Sequence, residues 1–221
     1  MGVSLISIIV LAAGEASRFG SPKQLAEINE RSLLHYVSEK CEELKVLCRE
    51  SGHAATSVLV LGAHLDPIMH FLQSVPKLTW DRIQRVPDWE QGMGRSIAES
   101  FRSQLEHYEA ERHAERNGVP NGAILVLADQ PKVSALGLFQ MLRLGLEKND
   151  IICASYPNSI GPPAYFPEHD MRAFIKQFDL CETWQGGAKR FIQERVHEVV
   201  DIQGVLDDID TPSDLDRISM S

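Results

Sequence analysis

One apolar run near the start of the chain, Leu5 to Leu11, constrains the fold more than any other stretch. It reads Leu-Ile-Ser-Ile-Ile-Val-Leu, with Ser7 as its single polar residue. Runs of aliphatic and β-branched residues without alternation are typical of strands that are covered on both faces. The run ends at Ala12-Ala13-Gly14. The sequence therefore predicts a buried strand of a parallel sheet, followed by a turn of small residues.

The turn after this strand has the composition of an anion-binding loop. Small side chains let a ligand approach the backbone, and Gly14 can adopt a positive φ, which would leave N–H groups facing an anion. Arg18 and Lys23 follow in the same loop. Because open α/β sheets bind ligands at the carboxyl ends of their strands, we predict a phosphate site here. The alternative is a surface loop whose Arg and Lys are simply solvated.

Two familiar phosphate-binding motifs do not fit this loop. A P-loop has four residues between its glycines and then Lys-Ser/Thr, whereas five residues separate Gly14 from Gly20 and Ser21 comes next. A dinucleotide fingerprint needs a second glycine two residues from Gly14, but the chain has Ala12 and Ala16 there. The loop is therefore neither a Walker A site nor a dinucleotide site.

Composition narrows the classes of partner. A formal charge of -9 argues against a nucleic-acid partner, because nonspecific binding to nucleic acid needs a basic surface. The apolar runs are too short to span a membrane, so we expect a cytoplasmic protein that does not interact with membranes. Cys41, Cys48, Cys153 and Cys181 form no Cys-x-x-Cys pair, and we expect reduced thiols. The eight histidines show no metal-ligand spacing.

Further strands and helices are predicted to alternate along the chain. Strands are predicted at 56–61, within 78–86, and at 122–128, 151–154 and 198–202, and a turn at 161–166 is predicted to lead into one more strand. Helices are predicted at 33–47, from 66, at 96–108, after Ser134, at 168–177 and 188–194, and after Thr211, with a helix end and an exposed loop at 106–121. This order predicts a Rossmann-like, doubly wound α/β fold with a mainly parallel sheet. We expect one domain over residues 1–221.

Asp129 follows the predicted strand 122–128, so it should lie at the same sheet edge as the small-residue turn. A carboxylate beside a phosphate loop is suited to bind Mg²⁺, which prefers oxygen ligands. The alternative is an aspartate that caps a helix.

Several short motifs together resemble one enzyme family. Residues 11–14 read Leu-Ala-Ala-Gly, residues 18–20 Arg-Phe-Gly and residues 22–25 Pro-Lys-Gln-Leu. Further blocks lie at 61–63, 92–96, 128–131, 161–166, 187–189 and 208–212. This ordered set resembles the nucleotidyltransferases related to the molybdenum cofactor cytidylyltransferases, the MobA-like NTP transferases, and it covers nearly the whole chain.

The resemblance implies a fold of the nucleotide-diphospho-sugar transferase type and Mg²⁺-dependent transfer of CMP from CTP to the phosphate of molybdopterin, with release of pyrophosphate. It implies catalytic roles for Arg18, Lys23 and Asp129, and metal ligands among Asp129, Asp208 and Asp210. The implied nucleotide- or pterin-binding residues are Leu11, Ala12, Ala13, Gly14, Gly62, Gly92, Met93, Ser96 and Pro163. Core packing is the alternative role for Met93. A molybdoenzyme or its maturation factor is a possible protein partner.

Finer features bear on the substrates. Ala13 and the stretch 21–24, Ser-Pro-Lys-Gln, resemble the cytidylyl branch of the family rather than the guanylyl branch. Gln185 stands where the family often has an acidic residue, and Ala16 where it has serine. These departures leave the acceptor open: another phosphorylated acceptor such as a sugar phosphate is one alternative. A non-catalytic protein that binds a pterin cofactor is another.

Overall fold

The first apolar run forms strand β1, Leu5–Ala12, near the middle of a seven-stranded sheet. The structure, a computed structural model, describes residues 3–75, 77–78, 80–115, 122–184, 186–195 and 197–219. No helix within these ranges has the length and apolar character needed to cross a membrane.

The remaining elements follow β1 in the predicted alternation. The strands are β2 Glu27–Ile28, β3 Arg31–Ser32, β4 Ala54–Leu61, β5 Arg82–Arg85, β6 Gly122–Leu127, β7 Ile151–Tyr156, β8 Ser159–Pro167 and β9 His197–Val200. The helices are α1 Leu33–Glu50, α2 Leu65–Ser74, α3 Met93–Glu115, α4 Ala135–Lys148, α5 Glu168–Asp179, α6 Lys189–Gln193 and α7 Pro212–Ser219. Short 3₁₀ turns lie at Lys23–Leu25 and Trp89–Gln91.

The sheet has the order β5-β4-β1-β6-β8-β7-β9, and β2 pairs with β3 in a separate small ribbon. β8 runs antiparallel to both of its neighbours, whereas the other pairs in the large sheet are parallel. This is the predicted α/β fold with a mainly parallel sheet, formed as a single domain.

Both faces of β1 are buried, which explains why its sequence lacks alternation. Ile6, Ile8 and Val10 pack with residues of α1, α2 and α4 on one face. Ile9 and Leu11 pack with α3, α5 and α6 on the other face. Full burial of each such side chain contributes roughly 1.5–3 kcal/mol to stability. β1 is therefore held rigidly, and the loop that follows it starts from a fixed point.

The further strand expected after the turn at 161–166 is present, but residues 161–166 form part of that strand and not a turn. These residues belong to β8, which pairs with both β6 and β7, so tertiary pairing outweighs the turn signal of Gly-Pro-Pro. Helix α3 also begins earlier than predicted, at Met93, and continues to Glu115. The predicted loop residues 116–121 lie outside the described part of the chain.

The chain order around β1 positions the ligand-binding edge. β4 lies on one side of β1 and β6 on the other, and both run parallel to it. The sheet therefore reverses its winding direction beside β1. In open α/β sheets, a crevice forms at the carboxyl ends of the strands at this switch point.

Candidate active site

A cavity of about 590 Å³ opens at the carboxyl ends of β1 and β6. The loop after β1 forms one wall, and the loop after β6 and the start of α3 form the others. The lining residues are Leu11, Ala12, Ala13, Gly14, Glu15, Ala16, Ser17, Arg18, Lys23, Gln24, Trp89, Glu90, Gly92, Met93, Ser96, Leu127, Ala128, Asp129, Gln130, Tyr156, Asp208 and Asp210. Its volume is within the usual range for sites that bind small molecules.

The cavity is lined by residues 14–18, whose backbone N–H groups are available to donate hydrogen bonds to a ligand. Within the described part of the chain, no atom accepts a hydrogen bond from the N–H groups of these five residues. The expected positive φ occurs at Ala16, with φ 53°, and not at Gly14. A side chain at Gly14 would meet nothing within 4 Å, so glycine leaves open space beside the backbone. Successive free N–H groups of this kind suit an anion.

Four charged side chains form a continuous chain across the cavity. Lys23 Nζ donates to Asp129 Oδ2 at 2.6 Å and to Asp210 Oδ1 at 3.0 Å. Arg18 Nη2 donates to Asp210 Oδ2 at 2.7 Å. The Lys23 side chain is 16% exposed and that of Arg18 is 71% exposed. Lys23 is therefore fixed between two carboxylates, while Arg18 extends from the cavity into solvent.

Hydrogen bonds outside the charged groups hold this arrangement. The buried Gln24 donates from Nε2 to the Ala12 carbonyl at 3.0 Å, which ties the Lys23 turn to the end of β1. The Ile209 N–H donates to the Asp129 carbonyl at 2.9 Å, so the segment that carries Asp210 is joined to the loop after β6. Gln130 is buried and donates to Tyr156 and to the Val205 carbonyl.

The ionisation of the central pair reflects burial and mutual attraction. Burial alone would lower the pKa of the Lys23 ammonium, but Asp129 and Asp210 outweigh this effect and the net shift is upward. Burial raises the pKa of the Asp129 carboxyl, against the opposing attraction of Lys23. Lys23 is therefore cationic at neutral pH and available to neutralise an anion.

The predicted metal ligands are Asp129 with Asp208 or Asp210, and all three residues line the cavity. Among the residues that the structure describes, no three His, Cys, Asp or Glu side chains form a group that could hold a metal ion. Lys23 lies between Asp129 and Asp210 and forms an ion pair with each. Asp208 is exposed and lines the cavity.

Two observations nevertheless fit a divalent cation at this edge. Asp129 Oδ1 is buried and has no hydrogen-bond partner, so one oxygen suited to a cation is uncommitted. Among the described residues, five acidic residues line the cavity, namely Glu15, Glu90, Asp129, Asp208 and Asp210, whereas two cationic residues, Arg18 and Lys23, do so. A formally negative cavity repels a triphosphate unless additional positive charge accompanies it.

The comparison with known families agrees with this geometry. The MobA-like NTP transferase domain matches residues 8–199, which include most of β1, the loop after it and Asp129. The chain belongs to the MobA-like NTP transferase family. It is therefore a nucleotidyltransferase, and the cavity at the end of β1 is the candidate active site of that activity.

Proteins of known sequence or structure resemble this chain over nearly its whole length. The Purine catabolism protein PucB of Bacillus subtilis (strain 168) is 27% identical over 221 residues, which cover 95% of this chain and 94% of PucB. Rv0371c of Mycobacterium tuberculosis H37Rv, solved in complex with manganese, has a TM-score of 0.64 at 20% identity and 98% coverage of both chains.

Two further solved structures share the fold at lower identity. The 4-diphosphocytidyl-2C-methyl-D-erythritol synthase of Anaerococcus prevotii DSM 20548 has a TM-score of 0.66 at 15% identity, covering 98% of this chain and 95% of its own. Molybdopterin-guanine dinucleotide biosynthesis protein A of Archaeoglobus fulgidus has a TM-score of 0.59 at 17% identity and 97% coverage of both chains.

The structure brings most of the predicted site residues of this transferase to one cavity. Two of them lie outside the cavity wall. Gly62 packs beneath Trp89, where a Cβ would come within 2.6 Å of the Trp89 Cβ and 2.7 Å of the Ala13 carbonyl. Pro163 is buried within β8. Gln185 lies outside the described residues.

Several residues that line the cavity were not predicted from the sequence. Gln24, Trp89 and Tyr156 are the clearest cases. Gln24 lies next to Lys23 and could have been found as its neighbour in the same motif. Tyr156 ends β7 at the ligand-binding edge, but nothing in its local sequence distinguishes it from a surface tyrosine.

Proposed function

We propose that this protein transfers CMP from CTP to the terminal phosphate of molybdopterin and releases pyrophosphate. The observation that carries the proposal is the position of Lys23. Its ammonium group lies in a cavity lined by the free N–H groups of residues 14–18 and contacts Asp129 and Asp210. This arrangement supplies the charge and the backbone donors that a triphosphate needs.

The reaction needs positioning and charge neutralisation more than covalent help from the protein. An oxygen of the acceptor phosphate attacks the α-phosphorus of CTP, and the bond from that phosphorus to the bridging oxygen breaks, so that pyrophosphate leaves. Lys23 and Arg18 would contact the phosphates. The N–H groups of residues 14–18 would hold them in line for the attack.

A divalent cation fits the same site. Asp129 would hold Mg²⁺ through its uncommitted Oδ1, with Asp210 or Asp208 as the second carboxylate. When bound, Mg²⁺ would neutralise part of the charge on the triphosphate. The manganese complex of Rv0371c supports a divalent metal in this fold.

The choice of CTP and molybdopterin rests on sequence features and on relatives. Ala13 and the Ser-Pro-Lys-Gln stretch at 21–24 resemble the cytidylyl branch of the family. The Archaeoglobus fulgidus protein supports molybdopterin as the acceptor, because its name refers to molybdopterin-guanine dinucleotide.

A second candidate is transfer to a different phosphorylated acceptor, such as a sugar phosphate or a phosphorylated alcohol. The diphosphocytidyl-methylerythritol synthase of similar fold supports this alternative, because its name refers to a diphosphocytidyl derivative of methylerythritol. Fold similarity alone does not fix the acceptor.

The test is pyrophosphate release with CTP, GTP or ATP, in the presence of Mg²⁺, with molybdopterin or with a panel of sugar and alcohol phosphates. We expect release with CTP and molybdopterin. Release with another acceptor alone would favour the second candidate. No release with any combination, together with tight binding of the pterin, would favour a non-catalytic pterin-binding protein.

Asp129→Asn provides the matched test of the catalytic assignment. We expect it to lose most of the pyrophosphate release, whereas Asp201→Asn, an exposed aspartate outside this cavity, should retain wild-type rates. Full activity in Asp129→Asn would contradict the assignment.

A further inference from the structure

The turn after β4 holds the backbone of the phosphate loop in a fixed orientation. The Ala63 N–H donates to the Ala13 carbonyl at 3.1 Å. One residue later, His64 Nε2 lies 2.6 Å from the Glu15 carbonyl. Because a carbonyl oxygen only accepts hydrogen bonds, His64 must be the donor, with its proton on Nε2. The turn after β4 therefore fixes the carbonyls of two loop residues, Ala13 and Glu15.

Fixing a carbonyl also fixes the donor on the other side of the same peptide. In a planar trans peptide, the C=O and the N–H of the next residue point in opposite directions. The Ala13 and Glu15 carbonyls are drawn toward residues 63 and 64, which do not line the cavity. The N–H groups of Gly14 and Ala16 therefore point away from that turn, on the side where residues 13–18 line the cavity.

These two N–H groups have no acceptor among the described residues. Ala16 also has a φ of 53°, a left-handed conformation that costs alanine roughly 1 kcal/mol or more unless its surroundings impose it. The His64 bond to the preceding residue is one such constraint. Without it, the Glu15–Ala16 peptide could rotate and the donor would lose its direction.

We infer that His64 is a positioning residue for the nucleotide phosphates, acting through the Glu15 carbonyl to aim the Ala16 N–H into the cavity. This inference depends on the proposed function in one respect: the ligand of the cavity is taken to be a nucleoside triphosphate. His64 does not itself contact the ligand in this arrangement, because it does not line the cavity.

The experiment compares His64→Ala, His64→Gln and His70→Ala with the wild type. Glutamine retains an N–H donor, and His70 is an exposed histidine on α2, so it serves as the matched control. Binding of CTP and of inorganic pyrophosphate with Mg²⁺ is measured by calorimetry. Thermal melting is recorded for each variant, and kcat and KM are measured wherever pyrophosphate is released.

We expect His64→Ala to bind CTP and pyrophosphate about tenfold more weakly, the effect of losing roughly one hydrogen bond to a charged group. KM for CTP should rise by a similar factor, and kcat should change less. His64→Gln should recover most of the affinity, and His70→Ala should bind like the wild type. A purely structural role would lower the melting temperature without this selective loss of phosphate affinity.

Two outcomes would overturn the inference. One is a His64→Ala variant that binds both ligands as tightly as the wild type, and the other is a His64→Gln variant as impaired as His64→Ala. If the wild type binds pyrophosphate and another nucleotide but not CTP, CTP is not the nucleotide substrate. The His64 variants are then compared with the wild type for binding of that other nucleotide, and the same two outcomes overturn the inference. A wild type that binds neither nucleotide nor pyrophosphate would refute both proposals.

Discussion

Replacing Lys23 by methionine removes the positive charge at the centre of the candidate site and keeps the apolar part of the side chain. Lys23 is 16% exposed and Asp129 is 20% exposed. Breaking a fully buried ion pair costs about 3–5 kcal/mol, and an exposed pair contributes about 0–1 kcal/mol. The exposure of this pair is intermediate, so we expect Lys23→Met to lower the free energy of unfolding by about 2 kcal/mol.

A double-mutant cycle tests the physical reason for that loss. In Lys23→Met, the Asp129 carboxylate stays largely buried without its cation, and Asp210 retains Arg18. Adding Asp129→Asn removes the uncompensated charge, so the double variant should regain about half of the lost stability. Urea unfolding measures each value. Lys40→Met is the control, because Lys40 forms an ion pair near the surface with Glu43 on α1. This substitution should lower the free energy of unfolding by less than about 0.5 kcal/mol.

The same substitution should reduce catalysis more than it reduces stability. Loss of a preorganised contact to developing charge typically lowers the rate by about a hundredfold or more. Pyrophosphate release by Lys23→Met should fall by that factor under conditions where the variant is folded. Wild-type turnover in Lys23→Met would refute the role of Lys23, and an unchanged free energy of unfolding would refute the argument from burial.

Two further predictions concern groups away from the site. Burial alone would raise the pKa of Asp81, but hydrogen bonds from Lys45 and Ser57 outweigh it and the net shift is downward. A carboxylate whose pKa is lowered in the folded state stabilises the fold at pH values above its unfolded pKa, so Asp81→Asn should be less stable than the wild type in urea at neutral pH. This difference should begin to shrink near pH 3.8 and be lost as the pH falls through the lower pKa of the folded state; a pH-independent difference would refute this. Burial raises the pKa of Cys41 to about 12 and of Cys48 and Cys153 to about 11, whereas Cys181 is exposed. Iodoacetamide should therefore label Cys181 alone in the native protein, as mass spectrometry would show, and labelling of a buried cysteine without denaturant would contradict this.

The central strands were predicted correctly because their pattern reflects burial. β1, apart from Ser7, and β6 are apolar because helices cover both faces of the sheet. The first part of β8 was predicted as a turn leading into a strand, because Gly161 and the two prolines after it are turn residues by local preference. Its strand conformation comes from pairing with β6 and β7, which no local pattern records.

The part of the site that could be predicted is the part whose position follows from the sheet topology. Lys23 and Asp129 are 106 positions apart, yet both follow strands that end at one edge, so the sequence could bring them together. Asp210 is held near them by the hydrogen bond from the N–H of the preceding residue, Ile209, to the Asp129 carbonyl. The contact of His64 with the Glu15 carbonyl was also beyond prediction. Both contacts depend on the direction of backbone groups, and residue identity does not encode that direction.

The ion pairs among Arg18, Lys23, Asp129 and Asp210 also constrain how a ligand can bind. Both cationic side chains of the cavity, Arg18 and Lys23, already contact carboxylates. They can neutralise a triphosphate only by sharing or leaving those contacts, which would expose Asp129 and Asp210 as unpaired charges in a partly buried site. That cost is avoided if the carboxylates gain a cation as the phosphates gain Lys23. The geometry therefore favours joint binding of nucleotide and divalent metal over separate binding of either one.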